Sequence, residues 1–266
     1  MAALEPSELR SDLWAGLKQG VLLAAAALVL TLPPGRTLPP PSPATYSQAA
    51  APHIFRSADF AARPASADAR LIADWVADSG DSQGLPYVIL DKRDARLYVF
   101  DARGRLIDSS PVLLGAAPGD DSVAGIGSRP MSKVRQEEKT TPAGRFVAEA
   151  GRNASGEEVV WVDYGAAVSM HRVRLVDPKE RRLERLASPD PAERRISYGC
   201  INVPVAFFES VVWPLLSTTR AVAYVLPETR GVGEVFAGAY DQEMKAARAP
   251  ASRSQLVGIS RQISRQ

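Results

Sequence analysis

Short runs of β-branched, aliphatic and aromatic residues, separated by polar turns, constrain the fold of this chain more than any other feature. Such runs are typical of short β-strands. Residues 115–140 are rich in Gly, Asp, Ser and Pro, which predicts a long loop. No internal repeat of about 20 to 50 residues is present, which excludes a solenoid or a propeller. The runs occupy residues 87–90, 96–100, 106–107, 112–114, 145–148, 159–162 and 221–226.

Helical signals are fewer and shorter than the strand signals. Leu71, Ile72, Trp75 and Val76 recur at helical spacing, which predicts an amphipathic helix over 69–78. A second helix is predicted over 204–212, because Pro204 suits a helix start where its missing N–H costs nothing. The sequence therefore predicts a mainly β fold with a few short helices.

The amino-terminal region differs in composition from the rest of the chain. Residues 21–32 are apolar apart from one threonine, and a helix of that length rises only about 18 Å, well short of the roughly 30 Å bilayer core. Residues 33–43 contain six prolines, which favour an extended spacer. We therefore expect a signal or anchor segment at 1–32 and a Pro/Ala-rich linker at 33–65. A catalytic domain is expected at 66–230 and a mobile carboxy-terminal tail at 231–266.

Composition limits the chemistry that the chain can perform. The 32 Lys and Arg nearly balance the 30 Asp and Glu, so nothing drives the chain as a whole toward nucleic acid. A single cysteine excludes an intramolecular disulfide framework and a CxxC site. The two histidines, His53 and His171, are too few for a His-rich metal cluster. We therefore expect no metal and no cofactor.

Cys200 is the strongest candidate for chemistry. It lies between a glycine turn and a predicted helix start, and a thiol needs such help to become a thiolate at neutral pH. His171 is the only histidine in the predicted folded region, so any Cys/His mechanism must use it. The competing interpretation is a buried structural cysteine, which is common among free cysteines.

Three ordered motifs resemble one known family. The run Ser197-Tyr198-Gly199-Cys200-Ile201-Asn202 is similar to the signature of YkuD-type L,D-transpeptidases, with Tyr198 standing where that family usually has histidine. The run 141–146, Thr-Pro-Ala-Gly-Arg-Phe, resembles a strand entry of the same family. The strand-rich stretch 86–115 resembles its first strands. The resemblance covers roughly residues 85–227.

The resemblance implies a YkuD-like β-sandwich or barrel with a cysteine acyl-enzyme mechanism. It implies Cys200 as the nucleophile, His171 as the general base, and backbone amides around Tyr198, Gly199 and Cys200 as the oxyanion hole. It further implies that Ser197 and Asn202 contact substrate. Cys200 would attack the carbonyl between the third residue of a peptidoglycan stem peptide and its terminal D-residue.

The stretch 171–195 carries seven Arg and one Lys against five acidic residues. Arg pairs well with carboxylates, so Arg172 and Arg195, which lie nearest the motifs, are candidate contacts to the stem peptide. The alternative is a charged, solvated surface with internal ion pairs. Within this stretch Asp177 as cap and Pro178 in the first turn predict an inserted helix over 177–186.

The sequence alone leaves three functions open. The leading one is an L,D-transpeptidase that joins a stem peptide to an amine of another stem or of a wall-attached protein. The second is a peptidoglycan hydrolase, an L,D-carboxypeptidase or amidase, which uses the same pair with water. The third is a non-catalytic wall-binding module. All three place the chain in the periplasm or cell envelope, with membrane contact only through the amino-terminal segment and no nucleic-acid partner.

Overall fold

The structure of the chain is a computed structural model, and it describes residues 55–239. The predicted signal or anchor segment 1–32, residues 33–54 of the predicted linker and residues 240–266 of the predicted tail lie outside the described residues. None of the helices within residues 55–239 is long and apolar enough to span a membrane.

Ten strands dominate the described fold, which confirms the prediction of a mainly β structure with few short helices. Eight of them form one sheet in the order β3-β2-β1-β10-β5-β6-β7-β9, and β4 pairs with β8. The strands are β1 Tyr87–Asp91, β2 Arg96–Phe100, β3 Leu106–Pro111, β4 Leu114–Gly115, β5 Gly144–Arg152, β6 Glu158–Asp163, β7 Val168–Arg172, β8 Arg195–Ser197, β9 Ile201–Val203 and β10 Ala221–Val225.

The two edges of the large sheet approach each other. Leu113, which follows edge strand β3, exchanges two backbone hydrogen bonds with Asn202 of edge strand β9, at 2.9 and 2.8 Å. The sheet is therefore nearly closed. Because β9 is held on both sides, the segment just before it, which contains Cys200, has a fixed position.

The central strands are buried on both faces, which explains why their sequences read as unbroken apolar runs. On β1, Val88 and Leu90 belong to one core, whereas Tyr87 and Ile89 belong to a second core on the other face. The first core lies under the helical segment that follows β9, and the second lies under the first helix.

The helices cover these two cores. Helix α1 (Ala67–Ser79) begins at Ser66, whose side chain accepts the amide of Ala69, and ends at Gly80 in the left-handed conformation. This agrees with the predicted helix 69–78. After β9, α3 (Val205–Phe207), a π-helical turn (Phe208–Val212) and α4 (Trp213–Leu216) form the helical segment predicted to begin at Pro204. A short helix, α5 (Val232–Val235), follows β10.

The inserted segment is not one continuous helix, in contrast to the prediction for 177–186. Asp177 caps a 3-10 turn, Pro178–Glu180, and accepts the amide of Lys179 as expected. Arg181 then adopts a left-handed conformation with φ of 50°, which interrupts the helix. Helix α2 (Arg182–Ala187) starts after it, and Leu186 packs on Leu113 and Val173 beside β9.

The packed region extends past both ends of the predicted domain 66–230. Phe60, in the predicted linker, is buried and makes edge contacts with Tyr98 and Phe100. Phe236, in the predicted tail, is buried against Trp75 and Tyr224. Isolated aromatic residues without periodicity gave no strand or helix signal, so the sequence placed them outside the domain.

A buried ion cluster anchors the long loop 115–140. Lys92, at the end of β1, is fully buried and donates to Asp120 Oδ1 at 2.7 Å, and to the carbonyls of Gly119 and Thr141 at 2.6 and 2.8 Å. Glu228 lies 3.4 Å from the same ammonium. Each buried charge therefore has a partner, as a low-dielectric interior requires.

Candidate functional site

Strand pairing brings the two candidate catalytic residues together. Strands β7 and β9 are parallel neighbours, with His171 opposite Asn202 and Met170 opposite Ile201. Side chains alternate along a strand, so Met170 enters the core while Ser169 and His171 lie on the opposite face. Cys200 immediately precedes β9 and lies on that same face, next to His171.

The thiol of Cys200 is half-buried and hydrogen-bonded. Ser169 Oγ lies 3.8 Å from Cys200 Sγ, and the carbonyl oxygen of Ala167 lies 3.5 Å from it. Burial by itself would raise the pKa of Cys200, but the hydrogen bond and positive charge of His171, together with hydrogen bonds from Ser169, hold that pKa below its ordinary value. The site therefore favours the thiolate, the nucleophilic form.

Backbone contact sets the orientation of the imidazole ring. His171 Nδ1 lies 2.8 Å from the carbonyl oxygen of Arg172. A carbonyl oxygen only accepts, so Nδ1 carries a proton and donates it. This leaves Nε2 for the exchange of a proton with the thiol. The carbonyl of Arg172 thus fills the place of the third, orienting group of a nucleophile–base–orienter arrangement.

Ser197 holds the cysteine turn from inside. Its side chain is buried, accepts the amide of Gly199 at 3.1 Å and donates to the carbonyl oxygen of Cys200 at 2.6 Å. Both hydrogen bonds hold the cysteine turn, and the substrate contact implied for Ser197 stays a prediction.

Of the three amides implied for the oxyanion hole, that of Gly199 already donates to Ser197 Oγ. The amides of Tyr198 and Cys200 donate to no acceptor within residues 55–239. These two amides, not that of Gly199, are available to a developing oxyanion.

The turn requires glycine at position 199. Gly199 has a φ of 126°, which residues with a side chain rarely adopt, and an added Cβ would lie 2.6 Å from the carbonyl oxygen of Thr140. The buried Thr141 holds the same turn, since its Oγ1 donates to the carbonyl oxygen of Gly199 at 2.9 Å.

Asn202 is buried and acts within the protein. Its Nδ2 donates to the carbonyl oxygen of Cys200 at 3.2 Å, and its Oδ1 accepts Arg182 Nη1 at 2.6 Å. Arg182 belongs to α2, so the inserted segment supports the strand that carries the cysteine. The amide of Asn202 is therefore engaged within the protein, and the substrate contact implied for it stays a prediction.

The two arginines proposed for substrate carboxylates are already paired. Arg172 binds the side chains of Glu158 and Glu209, and its guanidinium lies 4.5 Å from the centre of the Phe208 ring. Arg195 binds Glu228 and donates to the carbonyl oxygen of Lys92 at 2.7 Å. Carboxylates of the protein thus bind both guanidinium groups, and the substrate contacts expected of Arg172 and Arg195 stay predictions.

Tyr198 is 41% exposed, and the ammonium of Lys139 lies 4.1 Å from the centre of its ring. A groove of about 260 Å³ opens beside His171. The groove is lined by Arg152, Gly156, Glu157, Glu158, His171, Arg172 and Arg174.

Within residues 55–239, no group of three or more His, Cys, Asp or Glu is placed to hold a metal ion.

Two residues of the site were not identified from the sequence. Ser169 contacts the thiol, and its position two residues before His171 on a strand was a usable signal, because period-2 alternation places both on one face. Thr141 was noted only as part of a motif. Nothing in the local sequence showed that its hydroxyl reaches a turn 58 positions away.

No family model matches the chain, and no curated protein matches it in sequence. Eleven solved chains are similar to part of it, among them the following three structures. The carbamoyl enzyme that Ldtfm forms with avibactam is 15% identical over 54% of this chain and 49% of its own, with a TM-score of 0.33. A cysteine-to-serine variant of the Enterococcus faecium L,D-transpeptidase is 16% identical over 53% of this chain and 49% of its own, with a TM-score of 0.31.

The third structure is the catalytic domain of the E. faecium L,D-transpeptidase. It is 15% identical over 53% of this chain and 96% of its own, with a TM-score of 0.31. The match thus spans about half the length of the first two solved chains. At this level of identity and superposition, the likeness assigns no activity to this chain.

Proposed function

We propose that this chain is a peptidoglycan L,D-transpeptidase that acts through a cysteine acyl-enzyme. The observation that carries the proposal is the pairing of β7 with β9, which places His171 beside Cys200, where the imidazole lowers the pKa of the thiol. A structural cysteine has no need of an oriented imidazole. The sequence motifs around Cys200 and Thr141 supply the substrate class, because they resemble those of YkuD-type L,D-transpeptidases.

In the first half-reaction, His171 Nε2 takes the thiol proton and Cys200 Sγ attacks the carbonyl carbon between the third stem residue and the terminal D-residue. The amides of Tyr198 and Cys200 donate to the oxyanion that forms. The C–N bond then breaks, and the imidazolium gives its proton to the departing amine. The D-amino acid leaves and a thioester on Cys200 remains.

In the second half-reaction, an amine of another stem or of a wall-attached protein attacks the thioester carbonyl. His171 takes the proton of the attacking amine, the C–S bond breaks, and the thiolate is restored as a new amide bond forms. Water in place of the amine would give a carboxylate and a shortened stem, which is the outcome of a hydrolase.

This function requires access to peptidoglycan, so the proposal places the chain in the periplasm or cell envelope. The apolar segment at 1–32 would serve as export signal or anchor, and the proline-rich residues after it as a spacer. Stem peptides are the proposed partners, and no metal or cofactor takes part in the steps.

The test uses the full-length chain and its Cys200→Ala variant. Each is incubated with muropeptides that carry tetrapeptide stems, and the products are identified by mass spectrometry. The proposal expects a joined dimer, or exchange of the terminal D-amino acid, only with the intact cysteine. Cysteine-dependent shortening without a joined product would reassign the chain as a hydrolase. No conversion by a correctly folded chain would favour the non-catalytic wall-binding module.

A further inference from the structure

A lysine and a tyrosine lie together beside the turn that carries Cys200. Lys139, near the end of the long loop, places its ammonium 4.1 Å from the centre of the Tyr198 ring. Tyr198 lies two positions before Cys200 and is 41% exposed. A cation over an aromatic face is held by the negative potential of the ring.

The backbone of Lys139 is fixed against the cysteine turn. Its carbonyl oxygen accepts the amide of Ala117 at 3.1 Å. The next residue, Thr140, lies so close that its carbonyl oxygen would meet any Cβ on Gly199 at 2.6 Å. Thr141 then bonds directly to the carbonyl oxygen of Gly199. The backbone of Lys139 is therefore held beside the cysteine turn.

Lys139 differs from the arginines near the site in having no acidic partner. Arg172, Arg182 and Arg195 each form ion pairs with glutamates of the protein. The ammonium of Lys139 makes no ion pair with any acid among residues 55–239, and its contact is the Tyr198 ring. A positive charge that is positioned but not neutralised attracts an anion from solution.

We propose that Lys139 and Tyr198 form a carboxylate-binding subsite beside Cys200, which selects acyl donors that carry a free carboxylate close to the scissile carbonyl. The ammonium pairs with the carboxylate, and the ring holds the ammonium in place. The proposal deepens the proposed function, since it names the charge of the acyl donor at that same thiol, but its test does not need turnover.

The probes are iodoacetate and iodoacetamide, which alkylate the same sulfur and differ in one carboxylate. Cys200 is the only cysteine, so both rates report on this site. The ratio of the iodoacetate rate to the iodoacetamide rate cancels changes in thiolate fraction and in access. We expect Lys139→Gln to lower this ratio about fivefold, as removal of one nearby charge in a partly exposed site should.

Two variants and one control refine the test. Lys139→Arg should keep the ratio of the two alkylation rates because it keeps the positive charge. Tyr198→Leu should lower the ratio because the Lys139 ammonium loses its contact with the aromatic ring. Arg103→Gln removes the same unit charge in the turn before β3, beside α1, and leaves the ratio unchanged. In the wild-type chain, raising the salt concentration lowers the ratio, because salt screens exposed charges.

An unchanged ratio in Lys139→Gln, or an equal fall in Arg103→Gln, would overturn the subsite. A salt-independent ratio in the wild-type chain would also overturn it, even if a Lys139 variant failed to fold. The two proposals fail separately. A chain that converts no muropeptide but keeps the Lys139-dependent ratio loses the proposed activity and retains the subsite.

Discussion

Thr141 Oγ1 donates a hydrogen bond to the carbonyl oxygen of Gly199 at 2.9 Å. The same Oγ1 accepts the amide of Gly115 at 3.0 Å, so one buried hydroxyl joins the loop, β4 and the cysteine turn. The two sequence motifs that resemble the same family, 141–146 and 197–202, are thus in direct contact. The first motif serves the second by fixing the turn before the nucleophile.

Replacing Thr141 with valine should destabilise the chain and disturb the site. The change leaves the carbonyl of Gly199 and the amide of Gly115 buried without partners, at a cost of about 1–3 kcal/mol for each orphaned group. We expect a lower free energy of unfolding in urea and slower alkylation of Cys200. Thr141→Ser, which keeps the hydroxyl, should retain most of the free energy of unfolding and most of the alkylation rate of Cys200. Equal losses in the serine variant would show that the hydrogen bonds are not the cause.

Gly199→Ala tests whether the geometry of the turn limits the thiol. The substitution combines a left-handed φ with a Cβ 2.6 Å from a backbone oxygen, so we expect a loss of stability beyond the roughly 1–2 kcal/mol of the backbone conformation alone. The matched control is Gly156→Ala, with φ of 78° and no atom within 4 Å of the added Cβ. The control should lose only the conformational part and keep the alkylation rate of Cys200. Equal losses of stability and equal alkylation rates in Gly199→Ala and Gly156→Ala would contradict the close contact with Thr140.

His171→Gln should raise the pKa of Cys200. In the wild-type chain burial raises this pKa, but the hydrogen bond and charge of His171, together with hydrogen bonds from Ser169, hold it below its ordinary value. Without the imidazole, burial dominates and the thiolate fraction at neutral pH falls. The rate of alkylation by iodoacetamide, measured from pH 5 to about pH 11, should show its midpoint at higher pH in the variant. The Ser169→Ala variant should shift it less, and coincident midpoints for His171→Gln and the wild type would refute the coupling.

The buried cluster around Lys92 predicts how stability depends on pH. Burial would raise the pKa of Asp120, but hydrogen bonds from Lys92, from the hydroxyl of Thr229 and from the amides of Glu228 and Thr229 hold it well below its usual range. A carboxyl whose pKa is lower in the folded chain than in the unfolded chain stabilises the fold. The full stabilisation is present at pH values above the unfolded pKa of about 4. That stability is lost as the pH falls toward the folded pKa.

Lys92→Met removes the partner of this carboxylate. At pH 7 we expect a loss of about 3–5 kcal/mol in the free energy of unfolding, because Asp120 stays ionised and buried without its ammonium. At pH 3 the loss should be smaller, since protonation of Asp120 relieves the unpaired charge in the variant. Urea unfolding at both values measures the difference. The exposed Lys179→Met is the control and should change stability little. A loss that does not depend on pH would argue against the ion pair.

Much of the fold was predictable because its elements are locally encoded. The strands around 87–100 read as unbroken apolar runs and α1 carries a period of 3.6, and the structure confirms these elements. Strands β8 and β9 gave no signal, because three residues are too few for a period. These two strands form because of pairing with distant residues. Strand β8 pairs with β4, and β9 pairs with β7 and with Leu113.

The reactive groups of the candidate site could be predicted from the sequence, but the residues that pair with its arginines could not. Cys200 and His171 followed from residue type and motif, and strand pairing brings them together. The ion pairs of Arg172 and Arg195 could not be derived, since the glutamates that bind them lie 37 positions from the first and 33 from the second. Such long-range ion pairs leave no trace in local sequence.

The most direct test of the central claim is the intact mass of the full-length chain, recorded within seconds of mixing with a tetrapeptide-stem muropeptide. The account predicts an added mass equal to the stem acyl group without its terminal D-residue. Fragmentation should place it on Cys200, hydroxylamine should remove it as a thioester, and Cys200→Ala should lack it. A folded chain whose thiol reacts with iodoacetamide but never carries this acyl group would contradict the assignment of Cys200 as the acyl-accepting nucleophile.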